Sequence, residues 1–282
     1  MIMKKIVYIL TLGAIFTACD SNIEPMSNMG EASFNIKTSG VMTSDKESRA
    51  DGAQGIADET ITVDLPEELT VSFVHTGISG EDGSVVIAKS ASDQYMENCA
   101  IMTGTYDMEA YNYATDALAL AANGGRGDVR YHGSKPNVTI LDGSTTIIDM
   151  NVSITNSMVK ITETGFNESK NYTLSEVTVI GSVNGSPYRS VVFNSFDGTE
   201  EAWFAVGQEL SLKIYFEYQG EQYYKVVGFE DQIVTEAKHC YDVEIRPSES
   251  GFGSLTITVD NSLTVTTADI YFDPMDGIPV TE

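Results

Sequence analysis

Three histidines, three cysteines and 41 carboxylates are the side chains in this sequence with the most capacity for chemistry. A metal centre needs three or four ligands converging on one ion, usually announced by short spacings such as His-Glu-x-x-His. His75, His132 and His239 fall in different stretches, and no Cys-x-x-Cys accompanies them. No metal site is expected. Asp142-Gly143, Asp197-Gly198 and Asp276-Gly277 read as turns, because the regular oxygen spacing of a calcium loop is missing. There is no Gly-x-Ser-x-Gly elbow and no glycine-rich phosphate loop. Two carboxylates for glycoside hydrolysis can meet from distant strands, so a carboxylate-dependent hydrolase stands as a weaker alternative. With 41 acids the sequence singles out no pair, and no catalytic residue or cofactor is assigned. Arg126-Gly127-Asp128 is an integrin-type tripeptide, but in NGGRGDV it reads first as a flexible turn. Tyr218, Tyr223 and Tyr224 flank one hairpin, where core or rim packing is favoured over a sugar-stacking platform.

The remaining chemistry is covalent and lies at the start of the chain. Lys4 and Lys5 precede an apolar run from Ile6 to Phe16, and Thr17, Ala18 and Cys19 follow. That run is short of the roughly 20 residues needed to span a bilayer. A positive tip, a short apolar core and small residues before a cut site describe a secretory signal. Phe16-Thr17-Ala18-Cys19 resembles a bacterial lipobox, in which the cysteine is lipidated and becomes the first mature residue. Residues 1–18 are therefore expected to be a signal peptide, with Cys19 the lipidation site. Two or more acyl chains on one cysteine suffice for stable anchoring. Cys99 and Cys240 are expected to stay as thiols.

The formal charge of −25 excludes a nucleic-acid partner, whose affinity comes from Lys and Arg displacing counterions. It also leaves the lipid anchor without a polybasic helper on anionic membranes.

Period-two patterning dominates the rest. Phe34 and Ile36 alternate in Ala32 to Thr38; Ile61, Val63 and Leu65 do so before Pro66, and Leu69, Val71 and Phe73 after it. Tyr106, Met108 and Ala110, then Ile148 to Ile154, then Leu210 to Tyr218, repeat the habit, each row marking the buried face of a strand. Tyr172 to Ile180, Tyr188 to Phe193, Cys240 to Ile245 and Leu255 to Val259 are further strands. Residues 20–31 read as a tether and 39–59 as a long loop or insert. Asp116 to Ala122 is the one short helical candidate. The pattern predicts an all-β protein of two antiparallel β-sandwich domains, 32–150 and 151–282, behind a lipid-anchored tether at 19–31.

GTYDMEAYNYA (104–114), the stretch from Val129 to Thr162 and GSLTITVD (253–260) together resemble the DUF4493 family of Bacteroidales lipoproteins. Gly104, Thr105, Tyr106, Ala110 and Tyr111 match its first element. Tyr131, Gly133, Val138 and Ile140 match the second, and Asn156, Val159 and Ile161 the third. His132 and Asn137-Val138 depart from the more usual aromatic residues. The resemblance implies kinship with fimbrillin-type proteins, a transthyretin-like architecture and no assigned active site. Fimbrillin-like precursors are cut after a basic residue beyond the leader, releasing an early strand so that another subunit's strand fills the groove. In Lys46-Glu47-Ser48-Arg49-Ala50 the resemblance implies cleavage between Arg49 and Ala50, with Ala32 to Thr38 the strand released. Leu255 to Val259 or Val265 to Phe272 would be the donor.

The expectation is a non-enzymatic, lipid-anchored outer-membrane or cell-surface protein, a fimbrial structural or accessory (tip or anchor) subunit active in adhesion. Its partners would be the membrane and other fimbrial subunits joined by β-strand exchange. The alternative is a surface glycan- or protein-binding module that never polymerises.

Overall fold

The computed structural model describes residues 28–45, 58–77, 80–113, 125–165, 172–218, 221–228, 232–247, 254–260, 265–271 and 278–279. Among these residues every regular element is a strand, nineteen in all. The all-β expectation holds. Cys19, Arg49, Ala50 and the helical candidate at 116–122 lie outside the described residues.

The chain divides into two compact units that interleave along the sequence. Among the described residues, one comprises those up to 37 and those within 66–110 and 133–151; the other comprises those within 38–65, 111–132 and 152–279. A seven-stranded sheet runs in the order β5 (Gly83–Ala88), β4 (Glu68–His75), β7 (Gly104–Tyr111), β8 (Tyr131–Ile140), β9 (Thr145–Ile154), β1 (Met29–Ser39) and β6 (Tyr95–Met102). The bridge between Lys89 and Tyr95, with Ser90 N–H donating to the Gln94 carbonyl at 2.8 Å, ties the two outermost strands together at one end. The sheet therefore curls back on itself there.

Alternation decides which side chains go inside. Ala32, Phe34 and Ile36 of β1 are 0%, 1% and 2% exposed, and Tyr106, Met108 and Ala110 of β7 are equally buried. Burying a side chain such as Phe34 or Ile36 stabilises the fold by about 1.5–3 kcal/mol. In β8 the alternation changes phase. Asn137, in the left-handed region at φ 58°, inserts an extra residue, and the buried set passes from Tyr131 and Gly133 to Val138 and Ile140. The Asp107 carboxylate holds this bulge by accepting from Asn137 N–H at 2.8 Å.

The second unit holds two five-stranded sheets. One runs β13 (Asp197–Ala205), β10 (Asn156–Glu163), β16 (Cys240–Pro247), β17 (Ser254–Asp260), β18 (Val265–Tyr271). The other runs β12 (Ser186–Phe193), β11 (Tyr172–Val183), β14 (Glu209–Tyr218), β15 (Glu221–Val227), β19 (Ile278–Pro279). One core draws on both, with Ile161, Phe204 and Tyr241 from the first meeting Val177, Phe193 and Ile214 from the second. A two-stranded sheet of β2 (Val41–Asp45) and β3 (Asp58–Thr62) completes the unit.

Three expectations need correction. Residues 39–59 are not all loop, since Val41 to Asp45 pairs with Asp58 to Thr62 as a hairpin. The row Ile61, Val63, Leu65 leaves the ladder after Thr62, where Val63 N–H turns instead to the Gly40 carbonyl at 2.7 Å. Pairing is not wholly antiparallel either: β10 runs parallel to β16, from Met158 opposite Cys240 to Glu163 opposite Ile245. Parallel neighbours need a long crossover, and the intervening chain builds most of the other sheet.

Two buried phenols give this unit a measurable alkaline limit. Burial, reinforced by the Asp64 carboxylate, pushes Tyr131 up to about 12. Burial likewise pushes Tyr241 up to about 12, although Glu236 N–H donating to its oxygen opposes the shift. Each folded value lies above the ordinary phenol value of about 10, so the neutral form is the one the fold favours. Their stabilisation is complete below pH about 10 and lost as pH rises through about 12. A spectrophotometric titration should show Tyr131 and Tyr241 among the tyrosines that ionise late, together with unfolding; Tyr131→Phe should remove one of the late group.

Candidate functional site

Among the described residues, no group of three or more His, Cys, Asp and Glu side chains is placed to hold a metal ion. His75 on β4 packs edge-on to Tyr106, with centroids 5.5 Å apart. His239 Nδ1 donates to the Ala237 carbonyl at 2.9 Å, and His132 sits on β8. His75 and His132 stand on different strands, and His239 just precedes β16. Cys99 on β6 and Cys240 on β16 form no disulfide.

Two arrangements bear on assembly and adhesion. The first is the seat of β1, an inner strand although it stands near the start of the chain. On one side it pairs with β6 in an eight-residue register from Met29–Met102 to Ile36–Tyr95. On the other it meets β9, through Glu31 N–H to the Ser144 carbonyl at 3.0 Å and Asn35 Nδ2 to Asp149 Oδ1 at 2.6 Å. Gly30 is required where the strand enters, since a Cβ there would lie 2.3 Å from the Leu141 carbonyl oxygen. Removing β1 would strip the inner edges of β9 and β6 and open the core at Phe34 and Ile36. The next connection along the chain, between β2 and β3, carries Arg49 and Ala50.

The second is the segment Gly125 to Arg130, which contains the integrin-type tripeptide. Arg126 does not project. Its guanidinium lies 4.7 Å from the centroid of Phe193, pairs with the Glu200 carboxylate and donates to the Val192 carbonyl at 3.3 Å. Its own carbonyl accepts from Trp203 N–H at 2.8 Å. Gly127, at φ +73°, allows the turn between these anchors and the Asp128 carbonyl, which accepts from Asn156 Nδ2 at 3.0 Å. Asn156 Oδ1 in turn accepts from Arg130 N–H at 3.1 Å. Arg189 donates to the Gly125 carbonyl at 2.7 Å from a position only 3% exposed. Its guanidinium is driven below the usual range by burial and then by the neighbouring Arg130. The segment thus caps Val192 on edge strand β12 and Trp203 on edge strand β13. An uncovered strand edge invites pairing with another chain, and here both edges are closed at these points.

The sequence contained the tripeptide but not its anchors, since Phe193, Asn156 and Glu200 are all distant in sequence. A structural Arg126 differs from a receptor-binding one in what substitution does. Arg126→Ala should destabilise the protein by about 1–2 kcal/mol, combining a half-exposed ion pair with a cation–π contact. Asp128→Ala, at an exposed side chain, should stay within about 0.5 kcal/mol. Urea unfolding of the two variants checks this, and equal effects would contradict the capping role.

No curated protein matches the sequence. Among solved structures, the tip fimbrial protein Mfa3 of Porphyromonas gingivalis is 9% identical with a TM-score of 0.45, over 86% of this chain and 100% of that one. A fimbrial assembly protein of Parabacteroides distasonis is 7% identical with a TM-score of 0.46, over 86% and 99%. A fimbrilin of P. gingivalis is 11% identical with a TM-score of 0.45, over 80% and 91%. At these scores the likeness fixes neither fold nor function. The model of the domain of unknown function DUF4493 matches residues 30–274, nearly the whole of the chain described above, and the protein belongs to the DUF4493 family.

Proposed function

We propose that this protein is a non-enzymatic, lipid-anchored protein of the outer membrane or cell surface, a fimbrial structural or accessory subunit that works through strand exchange. The observation that carries the proposal is β1, an inner strand joined to the rest of the protein through the β2–β3 hairpin. Cleavage between Arg49 and Ala50 would cut that hairpin and leave β1 and β2 held by hydrogen bonds and burial alone. Their departure would expose two unpaired strand edges and the sites of Ala32, Phe34 and Ile36. A strand from another subunit with the same alternation would restore both the hydrogen bonds and the apolar burial. Cys19, acylated after removal of residues 1–18, would hold the uncut form at the membrane. An accessory or anchor subunit needs only that uncut form. The family resemblance agrees with this reading.

Two states are therefore expected in native envelopes. Intact-mass and N-terminal analysis should find an acylated Cys19 on the monomer and Ala50 at the start of any chain recovered from multimers. Cys19→Ala should release the protein from the membrane fraction, and Arg49→Ala should abolish the multimers while leaving the acylated monomer. Multimers whose chains all begin at Cys19 would rule out strand exchange at β1.

A further inference from the structure

The sheet containing β12, β11, β14 and β15 turns one face to the core and the other outward, and the outward face carries side chains that strand exchange does not use. Register aligns them in rows across the strands. Val192, Thr178, Lys213 and Val226 form one row; Glu176, Tyr215 and Tyr224 form the next. The Tyr215 and Tyr224 rings lie 5.7 Å apart between centroids with their planes inclined at 41°. Lys213 Nζ stands 4.7 Å from one centroid and 4.2 Å from the other. Glu176 Oε1 accepts from Thr178 Oγ1 at 3.1 Å. Val192 and Val226 flank the group at 40% and 57% exposure. By contrast Tyr223, the neighbour of Tyr224, points inward and stacks on Phe216 at 5.7 Å.

We propose that Tyr215, Tyr224, Lys213 and Glu176 form a binding site for a neutral polysaccharide. The inference rests on the surface location proposed above and names the class of ligand bound there. Tyrosine offers an apolar ring and a polar tip together, so two inclined rings can pack against the C–H faces of pyranose units while their hydroxyls reach the sugar oxygens. Lys213 is a donor and Glu176 an acceptor, side by side, which suits hydroxyl groups that must give and receive hydrogen bonds. Hydrogen bonding to Tyr215 raises the Lys213 pKa, so the ammonium stays charged at neutral pH.

Charge and size select the ligand. Among the described residues Glu217 joins Glu176 on this face beside the ammonium of Lys213, and the chain carries −25 overall, which repels polyanions. Strands about 4.8 Å apart make the four-residue row about 14 Å long and the three-residue row about 10 Å, and the platform on the order of 100 Å². A stable protein partner takes about 800 Å² from each side. A few sugar units fit the smaller area.

The test is affinity electrophoresis of the detergent-solubilised full chain through gels containing β-glucan, mannan or xylan, and, for comparison, polygalacturonate or chondroitin sulfate. Expected is retardation by at least one neutral glycan, unchanged by added salt and weakened about tenfold by Tyr215→Ala or Tyr224→Ala. Melting temperatures of the variants establish that they fold. If an alanine variant does not fold, Lys213→Ala combined with Glu176→Gln must weaken retardation in its place. Retardation by none of the neutral glycans, by the polyanions alone, or at full strength without both tyrosines overturns the site. Acylation and membrane retention are read separately from the same preparations. An anchored chain that binds no glycan defeats only this site, and a glycan-binding chain without acyl groups defeats only the anchor.

Discussion

An inner strand of a sheet must satisfy two neighbours and fill the core beneath it, and in this protein that duty falls on β1. Hydrogen bonds along both sides of Met29–Ser39, with Ala32, Phe34 and Ile36 directed inward, close the seven-stranded sheet between β9 and β6. Without it, β6 would lose its eight-residue register while staying tied to β5 around Lys89 and Tyr95. Yet β1 stands close to the start of the described chain, and its strongest demand on the sequence is local. Gly30 must admit the Leu141 carbonyl, and a short alternating row must face the core. A strand self-contained in sequence and paired on both sides is the kind of element that another chain can supply.

The second unit handles its edges in the opposite way. Arg126 satisfies groups on β12 and β13, its guanidinium lies over Phe193, and Asn156 clamps the segment by its backbone on both sides of Val129. The segment that reads from sequence as a flexible turn is instead anchored, and its tripeptide is part of the structural closure. Any adhesive role must come from surfaces elsewhere. The outward face of β14 and β15 is the natural one, since an aromatic pair there contributes little to the core that Tyr223 and Phe216 already fill.

Much of the fold was legible because period-two alternation is the imprint of a sheet with one buried face. β1, β4, β7, β9, β14 and β16 were all readable in this way. Strands without a clean imprint were missed. In β5, Val85, Val86 and Ile87 run together, and in β6 the sequence Met-Glu-Asn-Cys interrupts the apolar row. Glu200 and Glu201 disguise β13, because each carboxylate is spent on a partner, Arg126 and Lys160. The hairpin of β2 and β3 hid in a polar stretch. Asn184-Gly185, both at positive φ between β11 and β12, was a two-residue turn signal that could have been used. The candidate sites were less legible than the strands. Tyr224 was visible beside Tyr223, but only cross-strand register brings it to Tyr215 and Lys213. Arg49, expected from the resemblance to be a processing site, lies outside the described residues.

Native-state hydrogen exchange on the uncut protein tests the central claim most directly. If β1 completes the sheet, the amides of Ala32 to Ile36 that pair with β6 and β9 should exchange only through the opening that also releases those two strands, with the same free energy. Rapid exchange of β1 while β9 and β6 remain protected would show that the sheet does not depend on it, and would contradict the account.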